Sequence, residues 1–276
     1  MQKELFCNAP IGVFDSGVGG LTVVREIMRQ LPNERIVYFG DTARVPYGSK
    51  SRETVTRFSR QIVRFLQTQN VKAIVIACNT ASAFALDELE KEVDIPIIGV
   101  VKPGARTALE ATHNGKIGVI ATEATIGSGI YKGYIEENNE NVNVIGKACP
   151  LFVPLAEEGL WEDPVTDEIA RRYLAELIDI DIDTLILGCT HYPLLRSTVA
   201  KIMGDKVTLV NPAYETAREL KELLEKEGLE SRKRPELGTE LYQFFVSDAA
   251  DKFQKFANSI IPYGILSAKV IHIDEY

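Results

Sequence analysis

Residues 72–82, KAIVIACNTAS, decide the reading of the fold. A short, mostly branched apolar run leads into Ala77 and Cys78, and the small polar residues Asn79, Thr80 and Ser82 follow. Such a run predicts a strand buried on both faces, and the polar residues after it predict an exit turn and a helix start. Cys78 is therefore expected at the carboxyl end of a strand, beside free backbone N–H groups. In an open α/β sheet, the crevice beyond such strand ends is where ligands bind.

The pattern returns at 183–193, DTLILGCTHYP, where Cys189 falls on Cys78 after a shift of 189 − 78 = 111 residues. A second pair, IGVFDS at 11–16 and IGVIAT at 117–122, repeats at 117 − 11 = 106. Two matches in order, at nearly one offset, predict two halves built alike, each carrying one thiol at its crevice. The expected fold class is α/β, with two similar open-sheet domains related by pseudo-symmetry and the active site in the cleft between them. The expected division is 1–100 plus 211–276 for the first domain and 101–210 for the second. The segment after Gly228 is short for a core of its own and is expected to fold back and complete one of the halves.

The chain has 276 residues, 45% apolar and 25% charged, a soluble globular composition with room for two ordinary domains. No apolar run is long enough to span a bilayer, and the N-terminus has no secretory leader pattern, so a cytoplasmic location without membrane contact is expected. The net charge of −8 and pI of about 5.1 argue against nucleic-acid binding by bulk electrostatics. The basic cluster at 232–234 is read as a solvated loop. The cysteines at 7, 78, 149 and 189 form no CxxC pair and no metal-ligand spacing, and are expected to stay reduced. Cys7 and Cys149 are read as packing residues; Cys78 and Cys189 differ from them in placement.

In the first half, the glycines at 17, 19 and 20 follow a strand tipped by Asp15 and Ser16. They fit either a turn for close strand-to-helix packing or an anion site. A strand at 35–40 ends at Asp41, and Pro46, Tyr47 and Gly48 form a turn beyond it, a position that suggests a substrate role. Helices are expected at 52–67 and 84–93. In the second half, Thr122 and Thr125 stand where Ser16 and the glycines stood. A strand is expected at 149–155, followed by a loop holding Glu157 and Glu158. Beyond it come helices at 167–177 and 214–227, a strand at 241–246, a helix capped by Ser247 and Asp248, and a last strand at 269–273.

No Ser-His-Asp order and no zinc spacing stand out. Of the histidines at 113, 191 and 272, only His191 lies in a crevice, two residues past Cys189, where it could polarise the thiol or bind a carboxylate. A cysteine with pKa near ~8.5 is only a few per cent thiolate at neutral pH. Helix N-termini and cationic neighbours raise that fraction. One such thiol suggests a nucleophile. Two, one from each half, suggest proton transfer at a carbon from opposite faces, which inverts a stereocentre.

Taken together, VFDSGVGGLTV (13–23), DTARVPYG (41–48), ACNTAS (77–82) and LGCTHYPLL (187–195) resemble the glutamate racemases of the aspartate/glutamate racemase superfamily, in order from about residue 11 to 215. The resemblance implies two similar α/β domains, interconversion of L- and D-glutamate for peptidoglycan, and no PLP or metal cofactor. It makes Cys78 and Cys189 the acid/base pair, the first acting on the D enantiomer and the second on the L. Asp15 and His191 assist them, with Glu157 a further candidate. Asp15, Ser16, Pro46, Tyr47, Gly48, Asn79, Thr80, Thr190 and His191 hold the substrate, with Thr122 and Thr125 beside them. Three other readings stay open: an aspartate racemase or related isomerase, a two-domain protein that binds an amino acid without catalysis, and a thiol redox protein. A homo-oligomer, as a dimer, is compatible with the sequence, and the oligomeric form is open.

Overall fold

Ile11–Asp15 (β1), Ile36–Gly40 (β2) and Ala73–Ile76 (β3) are buried at every position. Near-continuous apolar runs of this kind form parallel strands covered by helices on both faces. The computed structural model describes residues 6–231, 241–261 and 267–276. Within them lie the further strands Ile97–Gly99 (β4), Lys116–Ala121 (β5), Asn143–Ala148 (β6), Thr184–Gly188 (β7), Thr208–Val210 (β8), Tyr242–Val246 (β9) and Ala268–Val270 (β10). The α-helices are Leu21–Gln30 (α1), Arg52–Thr68 (α2), Asn79–Leu89 (α3), Val101–Ala111 (α4), Glu123–Gly127 (α5), Ile130–Asn138 (α6), Phe152–Glu157 (α7), Pro164–Asp179 (α8), Arg196–Met203 (α9), Pro212–Glu227 (α10) and Ala250–Ile260 (α11).

Two wholly parallel sheets result, ordered β10-β9-β2-β1-β3-β4 and β6-β5-β7-β8. The order β2-β1-β3-β4 in one is the order β6-β5-β7-β8 in the other, and the correspondence extends to register. Ile11 lies opposite Ala73 and Ile117 opposite Thr184, so shifts of 117 − 11 = 106 and 184 − 73 = 111 carry one pairing onto the other. These are the offsets of the sequence repeat. Cys78 and Cys189 consequently follow the same strand of each sheet.

The segment after α10 sends β9 to pair with β2 and β10 to pair with β9, extending the first sheet at its open edge. Helix α10 buries Ala213, Ala217, Leu220 and Leu224 in the core that holds Val24 and Ile27 of α1 and Val13 of β1. It also packs on α4, so it lies along the join between the two sheets. Asn211 caps α10 through the Ala213 N–H and Asp163 caps α8 through the Val165 N–H, each with proline in the first turn.

Four local expectations are corrected. The strand expected at 149–155 is absent: β6 ends at Ala148, and the LFVPL run enters α7, whose Phe152 and Ala156 are buried one helical turn apart. A short apolar run with no alternation does not separate buried strand from buried helix. Glu157 therefore closes a helix instead of lying in a loop. The last helix starts at Ala250 without the Ser247 and Asp248 cap, because Ser247 Oγ donates to Asp41 and accepts from the Ala43 N–H, while Asp248 accepts from the Ala249 N–H. The helix expected at 84–93 begins at Asn79, where Cys78 Sγ accepts from the Ala81 N–H as its cap. The last strand spans only 268–270, and Ile273–Glu275 is a 3-10 turn. The basic cluster at 232–234 lies outside the described residues.

Candidate active site

Asp15 is fully buried at the tip of β1, which a lone carboxylate cannot be without partners. The glycine loop after it supplies them: the Gly17 N–H donates at 3.0 Å, and the Ser16 and Gly20 N–H groups also face the carboxylate. The anion that this loop cradles is the chain's own. Burial raises the Asp15 pKa, opposed by the charge of His191 and by these amides. A Cβ at Gly20 would fall 2.4 Å from that of Asp15, so the residue that turns the loop must be glycine.

Cys78, 5% exposed, lies beside Asp15 at the end of β3. Its sulfur sits 3.7 Å from Ser16 Oγ and 3.4 Å from the Ala81 N–H. Burial, followed by the negative charge of Asp15, pushes the Cys78 thiol up to about 12, and the Ala81 N–H and Ser16 hydroxyl oppose this. Cys78 thus rests as a protonated thiol, able to give a proton. Cys189, 6% exposed, ends β7 and is followed by a 3-10 turn, Tyr192–Leu195, before α9. Its neighbour is an imidazole: Nδ1 of His191 lies 3.8 Å from the Cys189 sulfur, and Nε2 lies 3.1 Å from Glu157 Oε1 at the end of α7. Burial disfavours the imidazolium, but hydrogen bonds to Cys189 and Glu157 outweigh it and push the His191 pKa up to about 10. The bond from His191 lowers the Glu157 pKa in turn.

The first-half and second-half residues meet across the gap. Thr190 Oγ1 approaches Asp15 Oδ1 at 3.5 Å, and Thr22 on α1 donates to the Thr190 carbonyl at 2.9 Å. Thr80 Oγ1 lies 3.1 Å from both Thr122 and Thr125, themselves 3.0 Å apart, so these three hydroxyls form one cluster. A Cβ at Gly19 would lie 2.4 Å from Thr190 Oγ1 and 2.6 Å from the His191 ring, and one at Gly48 would lie 2.7 Å from Thr122 Cβ. Both glycines are sites where one half's backbone touches the other half.

In the turn after β2, Tyr47 is 1% exposed and donates its hydroxyl to Asp41, which Arg44 and Ser247 also hold. The phenol is thereby committed to the scaffold, and Gly48 is the member of this turn that faces the second half. Pro46 is exposed at the outer side of the turn, after a cis peptide bond. One residue escaped the sequence reading entirely. Tyr131 of α6, 4% exposed, donates to Asn79 Oδ1 at 2.7 Å.

The halves touch directly through these contacts, and Asn79, Cys189 and Thr190 border a cavity of only about 10 Å³ together with Val100 and Pro212. A groove of about 430 Å³ adjoins the site on its Glu157 side, with Gly17, Trp161, Lys252 and Phe256 among its walls. Among the described residues no group of three or more His, Cys, Asp and Glu is disposed to hold a metal ion. The chemistry available is that of two thiols, a histidine–glutamate pair and a buried aspartate around one gap.

Duplicated parallel sheets, with a thiol after the same strand of each, define a two-domain α/β protein. The chain belongs to the Asp/Glu/Hydantoin racemase family, whose model matches residues 11–220. It is 50% identical over 251 residues to a glutamate racemase of Geobacter metallireducens, covering 91% of this chain and 92% of that one. Its fold superposes on a crystal structure of glutamate racemase isoform RacE1 from Bacillus anthracis with a TM-score of 0.91 at 42% identity, covering 95% of this chain and 97% of that one. A glutamate racemase of Francisella tularensis, crystallised with D-glutamate, gives 0.89 at 42% identity over 98% of this chain and 100% of that one.

Proposed function

We propose that the chain interconverts L- and D-glutamate by proton transfer between Cα and two thiols, Cys78 from the first half and Cys189 from the second. A thiolate on one face takes the Cα proton, and the electron pair of the broken C–H bond stays on Cα, delocalised into the adjacent carboxylate. The thiol on the opposite face delivers its proton to form the new C–H bond. The two sulfurs end with their protonation states exchanged, and no redox partner or cofactor is consumed.

The observation that carries this reading is the mutual placement of the thiols. They follow equivalent strands and lie near enough that charge on Cys189 disfavours charge on Cys78. Such repulsion disfavours two thiolates at once, so the pair does not hold both charges together. His191, steadied by Glu157, serves Cys189, and Asp15 and Ser16 serve Cys78. Asn79, Thr80, Thr190, Thr122, Thr125 and the backbone of the turn at Gly48 hold the substrate. The domain division that matches these roles is 1–100 plus 211–276 against 101–210. Glutamate is favoured over aspartate because relatives at 50% and 42% identity over nearly the whole chain are glutamate racemases. The product would supply peptidoglycan synthesis in the cytoplasm. Among the described residues no helix is long and apolar enough to cross a membrane.

The test incubates the purified chain with L-glutamate in deuterated water. The expected products are D-glutamate and α-deuterated glutamate, with Cys78→Ala and Cys189→Ala each lowering racemisation at least about 100-fold, the scale of a positioned acid or base. Faster turnover of L-aspartate would move the assignment to that substrate; one methylene is worth only about 1 to 3 kcal/mol of discrimination. Unlabelled L-glutamate recovered intact would mark a binding protein instead.

A further inference from the structure

We propose that Tyr131 is a positioning residue for this reaction, fixing the Asn79 amide by its hydroxyl and backing the Cys189 strand end with its ring. The inference rests on the racemase reading above. Tyr131 stands on α6, and the residues it touches adjoin the two reactive sulfurs. Its hydroxyl reaches Asn79, the residue after Cys78, at 2.7 Å. Its ring edge lies 3.3 Å from where a Cβ on Gly188 would stand, the residue before Cys189. One side chain therefore bears on both strand ends.

The direction of the hydrogen bond is what matters chemically. A phenol has one O–H to donate, and here it goes to Asn79 Oδ1. An amide oxygen held in this way turns the NH2 group the other way. Asn79 Nδ2 donates to none of the described residues, and Asn79 borders the same small cavity as Cys189 and Thr190. The amide thus keeps two unspent donors on the residue that directly follows Cys78, the polarity a substrate carboxylate requires. Rotated by half a turn, it would present its oxygen and repel that carboxylate. Burial, with the charge of Cys189 in support, raises the Tyr131 pKa far above the ordinary phenol value, so the donor is retained across the working pH range.

Because α6 follows β5 in the second half while Asn79 opens α3 in the first, the bond forms only when the halves are closed. Closure and orientation of the Asn79 amide are then one event. A separated pair of halves would leave Asn79 free to turn.

Tyr131→Phe removes only the hydroxyl and keeps the ring behind Gly188. The expected result is a KM for glutamate raised about tenfold, the scale of a hydrogen bond to a charged group, with kcat within about twofold and the melting temperature unchanged. Tyr131→Leu removes the ring as well and is expected to lower kcat a further tenfold or more. An unchanged KM in Tyr131→Phe, a loss confined to kcat, or Phe and Leu variants with the same kinetics would overturn the role. The wild type is assayed alongside. If it fails to exchange α-deuterium, the racemase reading falls and this one with it; an active wild type beside an indifferent Tyr131→Phe overturns the role of Tyr131 alone.

Discussion

Cys78 and Cys189 occupy equivalent positions, yet their surroundings are chemically unlike. Cys78 has only neutral hydrogen-bond partners, donating to the Ser16 hydroxyl and accepting from a helix-start amide, next to a buried carboxylate. Cys189 has an imidazole whose second nitrogen is anchored on a half-buried glutamate. The strand ends are alike in the two halves, and the groups beside each sulfur differ. This makes a pH signature specific to the second half. His191 has a folded pKa of about 10 against an ordinary 6.5. A group whose pKa is raised by folding adds stability that is full below the unfolded value, declines as pH rises above it and is gone above the folded value. The stability gap between the wild type and His191→Gln, measured by urea unfolding, should therefore be widest below about pH 6.5 and shrink steadily toward pH 10. A gap that widens with pH would contradict an imidazolium held between Cys189 and Glu157.

At the scale of elements, the loop from β1 to α1 does two jobs through different glycines. Gly17 and Gly20 wrap Asp15, whereas Gly19 lets the backbone of the first half lie directly against Thr190 and His191. Gly19→Ala places a methyl where two second-half side chains already stand. Those side chains belong to the site, so the halves are expected to part by several tenths of an ångström. Misplacement by about 1 Å can cost roughly 100-fold in rate, so for this smaller shift kcat/KM is expected to fall about tenfold with little change in melting temperature. Activity within threefold of the wild type would mean that the 190–191 segment yields instead. This loop also shows what the sequence could and could not reveal. The apolar strands, the duplicated cysteines and the glycine run were legible because each is a local pattern, and the repeat added a long-range one. What Gly19 faces was not legible, since its neighbours lie more than 170 residues away. Tyr131 was hidden for the same reason: in α6 it is one more apolar-face residue of an ordinary helix, and only closure brings it to Asn79. The α7 error had another origin, since LFVPL is apolar enough for either period.

On the scale of the whole molecule, the site at the carboxyl ends of the strands is separated from the clamp at their amino ends. Lys72, just before β3, is fully buried with Glu34, just before β2. Lys72 Nζ also donates to the Cys7 carbonyl at 2.6 Å and to the Leu229 carbonyl at 2.8 Å, while Glu34 accepts from the Ser231 N–H at 2.8 Å. Four separate stretches of chain thus converge on one ion pair: the N-terminal segment, the approaches to β2 and β3, and the exit from α10. Removing one partner strands a charge in the interior, which costs about 3 to 5 kcal/mol, whereas replacing both with apolar residues is often close to neutral. Lys72→Met is accordingly expected to lower unfolding free energy by that amount while leaving kcat and KM of the folded protein within about twofold, because no residue of the cleft touches the pair. The double variant Lys72→Met with Glu34→Leu should regain a large part of the lost stability in the same denaturation experiment. Equal losses in the single and double variants would show that the carbonyl contacts of Lys72, and not the uncompensated Glu34 charge, hold the amino end of the first sheet together.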